Sequence, residues 1–203
     1  MLILPATYLP DIEYICCLIA AGDDYIIDCG EHYIKRSVRN RTRIMTANGV
    51  LELTVPVVNA NRPRTPMTRM QIDYSKPWQH QHWVAIESAY RSSAYFDFIA
   101  ERLRPFYTEH HTSLVEFNLA ILRVLLDFLG YTAPLRTTTE YVTATDGDLD
   151  LRPKRRQSDF ITPQYFQLFS DRLPFAENLS ILDLIMSEGN YAVELIKNKN
   201  RCL

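Results

Sequence analysis

The chain has 203 residues, of which 47% are hydrophobic and 23% are charged, and these fractions are close to those of ordinary globular proteins. Wholesale disorder is therefore excluded, and the length is sufficient to bury a substantial core. The 22 lysines and arginines nearly balance 24 aspartates and glutamates, so a general nucleic-acid or membrane-surface binder is disfavoured and any basic site must be a local cluster.

The N-terminal region predicts a βαβ unit. Residues 2–4 form a short apolar run, residues 12–19 carry apolar side chains at helical spacing, and residues 25–28 form a second apolar run. If the two strands are parallel, Tyr8 and Asp28 lie in one crevice at the carboxyl edge of the sheet. Open α/β sheets usually bind their ligands at that edge.

The dipeptide Asn48-Gly49 predicts a β-hairpin. It separates two β-prone runs, 42–47 and 50–57, and it is typical of a type I′ turn. A two-residue turn at this position would place Thr46 opposite Leu51. We expect the hairpin and the βαβ unit to form one mixed sheet.

Two shorter runs, 70–74 and 137–144, have weaker strand character, but from residue 77 onward the pattern is mostly helical. The segment 114–129 is apolar around most of its circumference, which predicts a central buried helix. Ser180 and Asp183 have the spacing of a nucleophile and an acid, but a capping box explains the same spacing and is favoured.

The predicted architecture is an α/β fold in one domain covering residues 1–203. Residues 1–75 are sheet-rich and residues 76–203 are helix-rich. The polar stretch at about 144–158 changes from acidic to basic residues, and we expect it to be a mobile lid or a disordered loop.

The four cysteines have no spacing that resembles a zinc framework, so reduced thiols are the simpler interpretation. The first residues lack the basic leader of a secretory signal, and no stretch approaches the roughly 18 apolar residues of a membrane span. We therefore expect a cytoplasmic protein without membrane insertion.

The run from Lys35 to Arg43 contains five cations in nine residues and is the strongest candidate site. In an extended chain Arg39, Arg41 and Arg43 share one face. Clustered guanidinium groups beside a strand end suggest a phosphorylated ligand. The alternative is a solvated face with salt bridges to Glu31 or Glu52, and the residues alone leave both interpretations open.

The histidines suggest acid–base chemistry more than metal binding. His80 and His82 would lie about 200° apart on a helix, so they cannot bind one metal from the same face. His82 is either a buried core histidine or a general base. His32 and Glu31 follow the second strand directly and are better placed for proton transfer, although they also fit an ordinary loop pair.

A set of short motifs spans nearly the whole chain and resembles the WbqC-like family. The set comprises Tyr8-Leu-Pro10, Tyr14, Tyr33-Ile-Lys35, Asn40-Arg41, Leu53-Thr-Val-Pro56, His82, Ala89-Tyr90, Phe117-Asn118 and Leu179 to Asp183. Many members of that family have a His-Gln-Pro opening, whereas this chain reads Leu4-Pro5-Ala6, so a histidine of that opening is absent here.

The resemblance implies a part in the synthesis of bacterial O-antigen or other surface-polysaccharide precursors, with transfer of an aminoacyl or acyl group to a sugar. Together with the phosphate preference of the basic run, the resemblance suggests a phosphorylated or nucleotide-linked sugar as ligand. The expected ligand-binding residues are Tyr8, Tyr14, Lys35, Asn40, Arg41 and Tyr90, and the candidate catalytic residues are His82, His32, Glu31 and Asp28. The alternatives are a non-catalytic sugar-phosphate-binding or scaffold protein, and a basic run that docks an acidic partner.

Overall fold

The computed structural model describes residues 1–154 and 158–197. The strands are β1 (Leu2–Pro5), β2 (Tyr25–Asp28), β3 (Arg41–Thr46), β4 (Gly49–Thr54), β5 (Thr137–Thr138) and β6 (Leu149–Asp150). The helices are α1 (Ile12–Ala21), α2 (Trp78–Tyr90), α3 (Phe96–Leu103), α4 (Pro105–Thr108), α5 (Leu114–Phe128), α6 (Ile181–Glu188) and α7 (Ala192–Lys197), with 3₁₀ turns at Met67–Arg69 and Gly189–Tyr191.

The predicted βαβ unit is present. Strands β1 and β2 are parallel, with Leu2 opposite Tyr25 and Pro5 opposite Asp28. Helix α1 begins because the Asp11 side chain accepts a hydrogen bond from the Tyr14 amide at 2.9 Å. The helix ends at Gly22, whose φ of 59° is readily adopted by glycine.

The α/β class is confirmed, but the hairpin does not join the βαβ unit in one mixed sheet. The main sheet is wholly parallel and has the order β5-β2-β1-β6, while β3 and β4 form a separate antiparallel pair. The physical reason is that each edge of the β1–β2 pair is already occupied, since β5 pairs with β2 and β6 pairs with β1. The helix-rich half therefore contributes two strands to the sheet.

The hairpin register also differs from the prediction. Thr46 lies opposite Gly49 rather than Leu51. A type I′ turn at Asn48-Gly49 needs positive φ at both residues, but only Gly49 has it, at 100°. Because the shift is by two residues, each side chain keeps the same face of the hairpin, with Leu53 buried and Arg43 exposed.

The segment expected to be a lid or disordered loop contains ordered structure. Residues 149–150 form β6, and Arg152 is 5% exposed. The reason is a set of buried contacts made by Arg152, described below. Residues 155–157 of the same segment lie outside the described residues.

Helix α5 is central and buried, as predicted, and its Ser113 cap accepts a hydrogen bond from the Glu116 amide. Side chains from both halves of the chain pack into one hydrophobic cluster that includes β1, α1, α5 and α6. Within the described residues, no helix is both long enough and apolar enough to cross a membrane.

Candidate functional site

A cavity of about 350 Å³ opens at the carboxyl ends of β1 and β6. Its wall is formed by residues within segments 5–14, 36–43 and 151–154, together with Glu52, Ser158, Asn178 and Ser180. The β1–α1 connection, the basic run and the segment after β6 therefore meet at one point. This is the sheet edge at which α/β proteins usually bind their ligands.

The wall of the cavity is predominantly cationic. It contains six cationic side chains, Arg36, Arg39, Arg41, Arg43, Arg152 and Lys154, against the three carboxylates of Asp11, Glu13 and Glu52. Arg39, Arg41 and Arg43 all line this wall. The extended pattern applies only to Arg41 and Arg43, which lie in β3, because Arg39 lies in a turn. The six cations nevertheless differ strongly in burial and in their partners.

Arg39 is fully buried and forms a bidentate ion pair with Glu31. The Arg39 Nε lies 2.9 Å from Glu31 Oε1, and the Nη2 of Arg39 bonds Glu31 Oε2. The same guanidinium donates to Ser37 Oγ at 3.2 Å and to the Arg152 carbonyl at 3.1 Å. Burial raises the pKa of Glu31 to about 7, although Arg39 acts to lower it. These contacts make Arg39 part of the framework of the cavity.

Arg152 is likewise buried, and its guanidinium joins β2 and the edge strand β6 to the segment after β5. It donates two hydrogen bonds to Asp150, at 2.9 and 2.7 Å, and bonds Asp28 and the Val142 carbonyl. Its guanidinium carbon lies 4.8 Å from the centroid of the Tyr141 ring. Arg152 is absent from the predicted site residues because it lies in the polar stretch 144–158, which the sequence predicts to be a lid or a disordered loop.

Asp28, a predicted acid–base residue, has a structural role. Its Oδ1 accepts from the amides of Gly30 and Glu31 at 2.8 and 3.0 Å. Its Oδ2 accepts from the Val142 amide at 3.1 Å and from Arg152. Asp28 therefore stabilises the segments behind the wall through these hydrogen bonds, and it does not line the cavity.

The remaining cations divide into one paired and three unpaired side chains. Arg41 is partly buried and lies 2.5 Å from Glu52. Arg36, Arg43 and Lys154 are exposed and have no carboxylate partner among the residues that the structure describes. Arg43 donates instead to the carbonyls of Glu177 and Asn178 at 3.3 and 3.0 Å. A ligand anion in the cavity would meet these three charges first.

His82 lies in the core and away from the cavity. Its Nδ1 is 2.9 Å from the hydroxyl of Tyr8, which in turn lies 2.8 Å from the hydroxyl of Tyr107. Burial lowers the pKa of His82 to about 4, and a hydrogen bond to the backbone of Thr54 opposes that shift. His82 is therefore neutral near pH 7 and has the role of a buried core histidine. Tyr8 adjoins the cavity but directs its hydroxyl into this network.

The other predicted ligand contacts are dispersed. Tyr14 lines the cavity, and its hydroxyl donates to the Pro5 carbonyl at 3.1 Å. Asn40 is buried and donates to the Val55 carbonyl at 2.8 Å. Tyr90 is buried and donates to Asp183 at 2.7 Å. Lys35 is exposed and bonds Asn61, outside the cavity wall.

Of the ten predicted site residues, the structure brings Tyr8, Tyr14 and Arg41 to the cavity wall. His32 is exposed and pairs through its backbone with Pro66, so it too lies elsewhere. The residues within segments 1–154 and 158–197 contain no group of three or more metal-ligating side chains that could hold a metal ion.

Glu13 is a wall carboxylate that sequence reasoning missed. It lies in the first turn of α1 and is 6% exposed. Its carboxylate accepts hydrogen bonds from Ser158 Oγ and, at 3.3 Å, from the Asn178 side chain. The Asn178 Oδ1 accepts in turn from the Glu13 amide at 2.9 Å. The only sequence signal for Glu13 is its position two residues after the helix cap.

The model of the WbqC-like protein family matches residues 6–157. An uncharacterised protein of Mycobacterium tuberculosis is 36% identical over 143 residues, which are 70% of this chain and 61% of that protein. The chain thus spans less than two thirds of the length of this relative. No solved structure matches the chain. Since the family match covers well over half of the sequence, the chain belongs to the WbqC-like protein family.

Proposed function

We propose that the cavity binds a phosphorylated or nucleotide-linked sugar, and that the protein is a transferase-type enzyme of bacterial surface-glycan precursor synthesis. One observation carries the proposal. Arg36, Arg43 and Lys154 line a cavity at the carboxyl edge of the sheet without a carboxylate partner among the described residues. Guanidinium and ammonium groups are the usual protein partners of phosphate. Nucleotide-linked sugars are cytoplasmic compounds, and we place the protein there.

The proposed reaction transfers an acyl or aminoacyl group from an activated donor, such as a thioester or an acyl adenylate, to the sugar. A nitrogen or oxygen of the sugar forms a bond to the acyl carbonyl carbon, and the bond from that carbon to the donor sulfur or phosphate oxygen breaks. The leaving group keeps the bonding electrons. Glu13 is the wall carboxylate that we assign to receive the proton lost by the sugar.

A non-catalytic sugar-phosphate-binding protein is the second candidate, and one observation favours it. All four residues that the sequence nominates for acid–base work, namely His82, His32, Glu31 and Asp28, lie outside the cavity wall. Such a protein would bind the same ligand through the same cations. The two candidates therefore differ only in turnover.

Binding is tested by isothermal titration calorimetry with UDP-glucose and UDP-N-acetylglucosamine. The double variant Arg36→Gln/Lys154→Gln removes two of the unpaired cations. Because a hydrogen bond to a charged group contributes about 1.5–3 kcal/mol, we expect the affinity to fall at least about tenfold. The matched control, Arg102→Gln/Arg172→Gln, removes the same charge from exposed positions outside the cavity wall. Equal affinity in both variants would refute the proposed site.

Turnover is tested by mass spectrometry after incubation with sugar nucleotides, ATP, amino acids and acyl-coenzyme A. A transferase yields an acylated sugar nucleotide, and Glu13→Gln lowers its rate while ligand binding persists. Glu52→Gln is the matched control, because it alters another wall carboxylate that pairs with Arg41. Binding without any product in the wild type would identify the non-catalytic alternative.

A further inference from the structure

A second, separate cavity of about 260 Å³ lies in the loop after β4. Its wall contains three arginines, Arg62, Arg64 and Arg69, and no carboxylate. The amide side chains of Asn59 and Gln71 complete its polar lining. No residue of this wall also lines the first cavity. We call residues 58–71 the arginine loop.

The arginine loop is held in place by backbone hydrogen bonds. The Val58 amide donates to the Gln71 carbonyl at 2.9 Å, which closes the loop at its base. The Tyr33 amide donates to the Thr65 carbonyl at 2.8 Å, and the Met67 amide donates to the Glu31 carbonyl at 2.8 Å. These bonds attach the loop to the segment that follows β2. The three guanidinium groups are therefore carried on a fixed backbone.

The charges of the arginine loop are not neutralised within the described part of the chain. Arg62, Arg64 and Arg69 are exposed, and none of them forms an ion pair with a described carboxylate. Three like charges on one short loop repel each other, and the attraction of an anion bound between them offsets that repulsion. The cavity thus has the electrostatic character of an anion site.

Lys35 contributes a fourth positive charge to this region. Its Nζ lies 2.5 Å from Oδ1 of Asn61, which is part of the arginine loop. The Lys35 carbonyl accepts a hydrogen bond from Lys154 at 3.2 Å. Lys154 lines the first cavity, so Lys35 lies between the two basic regions.

We propose that the arginine loop is a second anion-binding site, which takes a compact phosphate or diphosphate group of a soluble ligand. Arginine recognises such groups through paired, charge-assisted hydrogen bonds. The volume is slightly below the range of roughly 300–1,000 Å³ that is typical of pockets for whole drug-sized ligands. The site therefore accommodates a phosphate-bearing end and leaves the rest of the ligand outside.

The test is a calorimetric titration of the full chain with inorganic pyrophosphate at low ionic strength. The loop variant Arg62→Gln/Arg69→Gln leaves Arg64 unchanged, so that it removes two positive charges, as the cavity variant and the control also do. The cavity variant is Arg36→Gln/Lys154→Gln. The matched control is Arg102→Gln/Arg172→Gln, which removes two exposed cations from neither wall.

We expect a binding event that weakens at least about tenfold in the loop variant and persists in both the control and the cavity variant. Amide chemical shifts of residues 58–71 should move on addition of pyrophosphate to the wild type. If the loop variant titrates like the control, or if only the cavity variant loses binding, the second site is refuted. If pyrophosphate binding weakens in the loop variant and not in the cavity variant, the second site is supported, whether or not the first cavity binds a sugar nucleotide.

Discussion

Replacement of Arg39 by methionine should destabilise the protein more than any exposed substitution in the basic run. Arg39 is fully buried, and it is the bidentate partner of Glu31, which is itself 3% exposed. Arg39→Met leaves the Glu31 carboxylate in the interior without its counter-charge. It also removes the bonds from the guanidinium to Ser37 and to the Arg152 carbonyl.

The expected loss is about 3–5 kcal/mol, which is the usual cost of breaking a buried ion pair by removing one partner. This is a large part of the roughly 5–15 kcal/mol that stabilises a typical domain. Urea unfolding, followed by circular dichroism, measures the loss. The matched variant Glu31→Gln/Arg39→Met removes both charges and should recover at least half of it, because no uncompensated ion remains.

The loss should also depend on pH. Burial already raises the pKa of Glu31 to about 7 from its ordinary value of 4.5, and removal of Arg39 raises the pKa further. A raised pKa means that the folded state holds the proton more tightly than the unfolded chain, so stability falls as the pH rises between the two pKa values. Wild type and variant should therefore diverge as the pH rises above about 7, where Glu31 ionises in the wild type and keeps its proton in the variant.

Two outcomes would refute this reasoning. A loss below about 1 kcal/mol at about pH 8.5 would mean that Glu31 finds another partner or water in the variant. A loss that is independent of pH, and is not relieved in the double variant, would mean that Arg39 acts through packing of its side chain and not through the charge of Glu31.

Two further predictions concern the framework of the sheet and the core. Gly30→Ala should destabilise the fold by about 2 kcal/mol or more, because a Cβ at this position would overlap backbone atoms around Glu140. Thermal or urea unfolding measures the loss, and an unchanged midpoint would show that the backbone around Glu140 can move away from residue 30. Burial lowers the pKa of His82 to about 4. As the pH falls, this histidine therefore binds a proton in the unfolded chain at a higher pH than in the folded state. The free energy of unfolding should fall by up to about 3 kcal/mol between pH 6.5 and pH 4. In His82→Phe, this component of the pH dependence should disappear from urea unfolding measured across that interval.

Local sequence patterns were sufficient to predict the elements that depend on local interactions. The βαβ unit follows from two short apolar runs and the helical spacing of apolar side chains between them, and the structure forms β1, α1 and β2 there. The buried helix α5 follows from its nearly continuous apolar surface. The hairpin follows from two β-prone runs around Asn48-Gly49, although its register is shifted by two residues from the predicted one.

The parts that could not be predicted depend on contacts that are distant in sequence. Strands β5 and β6 have two residues each, too few to show a period, and they are defined by pairing with β2 and β1. The contact of Arg152 with Asp28 spans 124 residues. The sequence shows Arg152 only as one of the basic residues at the end of the stretch 144–158. Only the fold places the buried carboxylate of Asp28 beside it.

The basic run illustrates why the two interpretations of clustered charge are not exclusive. The salt bridges to Glu31 and Glu52 that the solvated-face interpretation names are both present, made by Arg39 and Arg41. These pairs neutralise two of the positive charges of the run. The Arg39–Glu31 pair is buried, whereas the Arg41–Glu52 pair is partly exposed. Their effect is to fix the backbone of the run along the cavity wall. Arg43, which donates only to backbone carbonyls, keeps its charge uncompensated by any described carboxylate.

The division follows from burial. A charge buried at the position of Arg39 must be paired, because its desolvation is otherwise too costly. A charge at the rim, such as Arg36, is hydrated and carries no such requirement, so it remains available to an external anion. Substitutions of buried and exposed cations should therefore have different effects. Changes at Arg39 should lower the free energy of unfolding. Changes at Arg36 and Lys154 should weaken ligand binding and leave the free energy of unfolding within about 0.5 kcal/mol of the wild type.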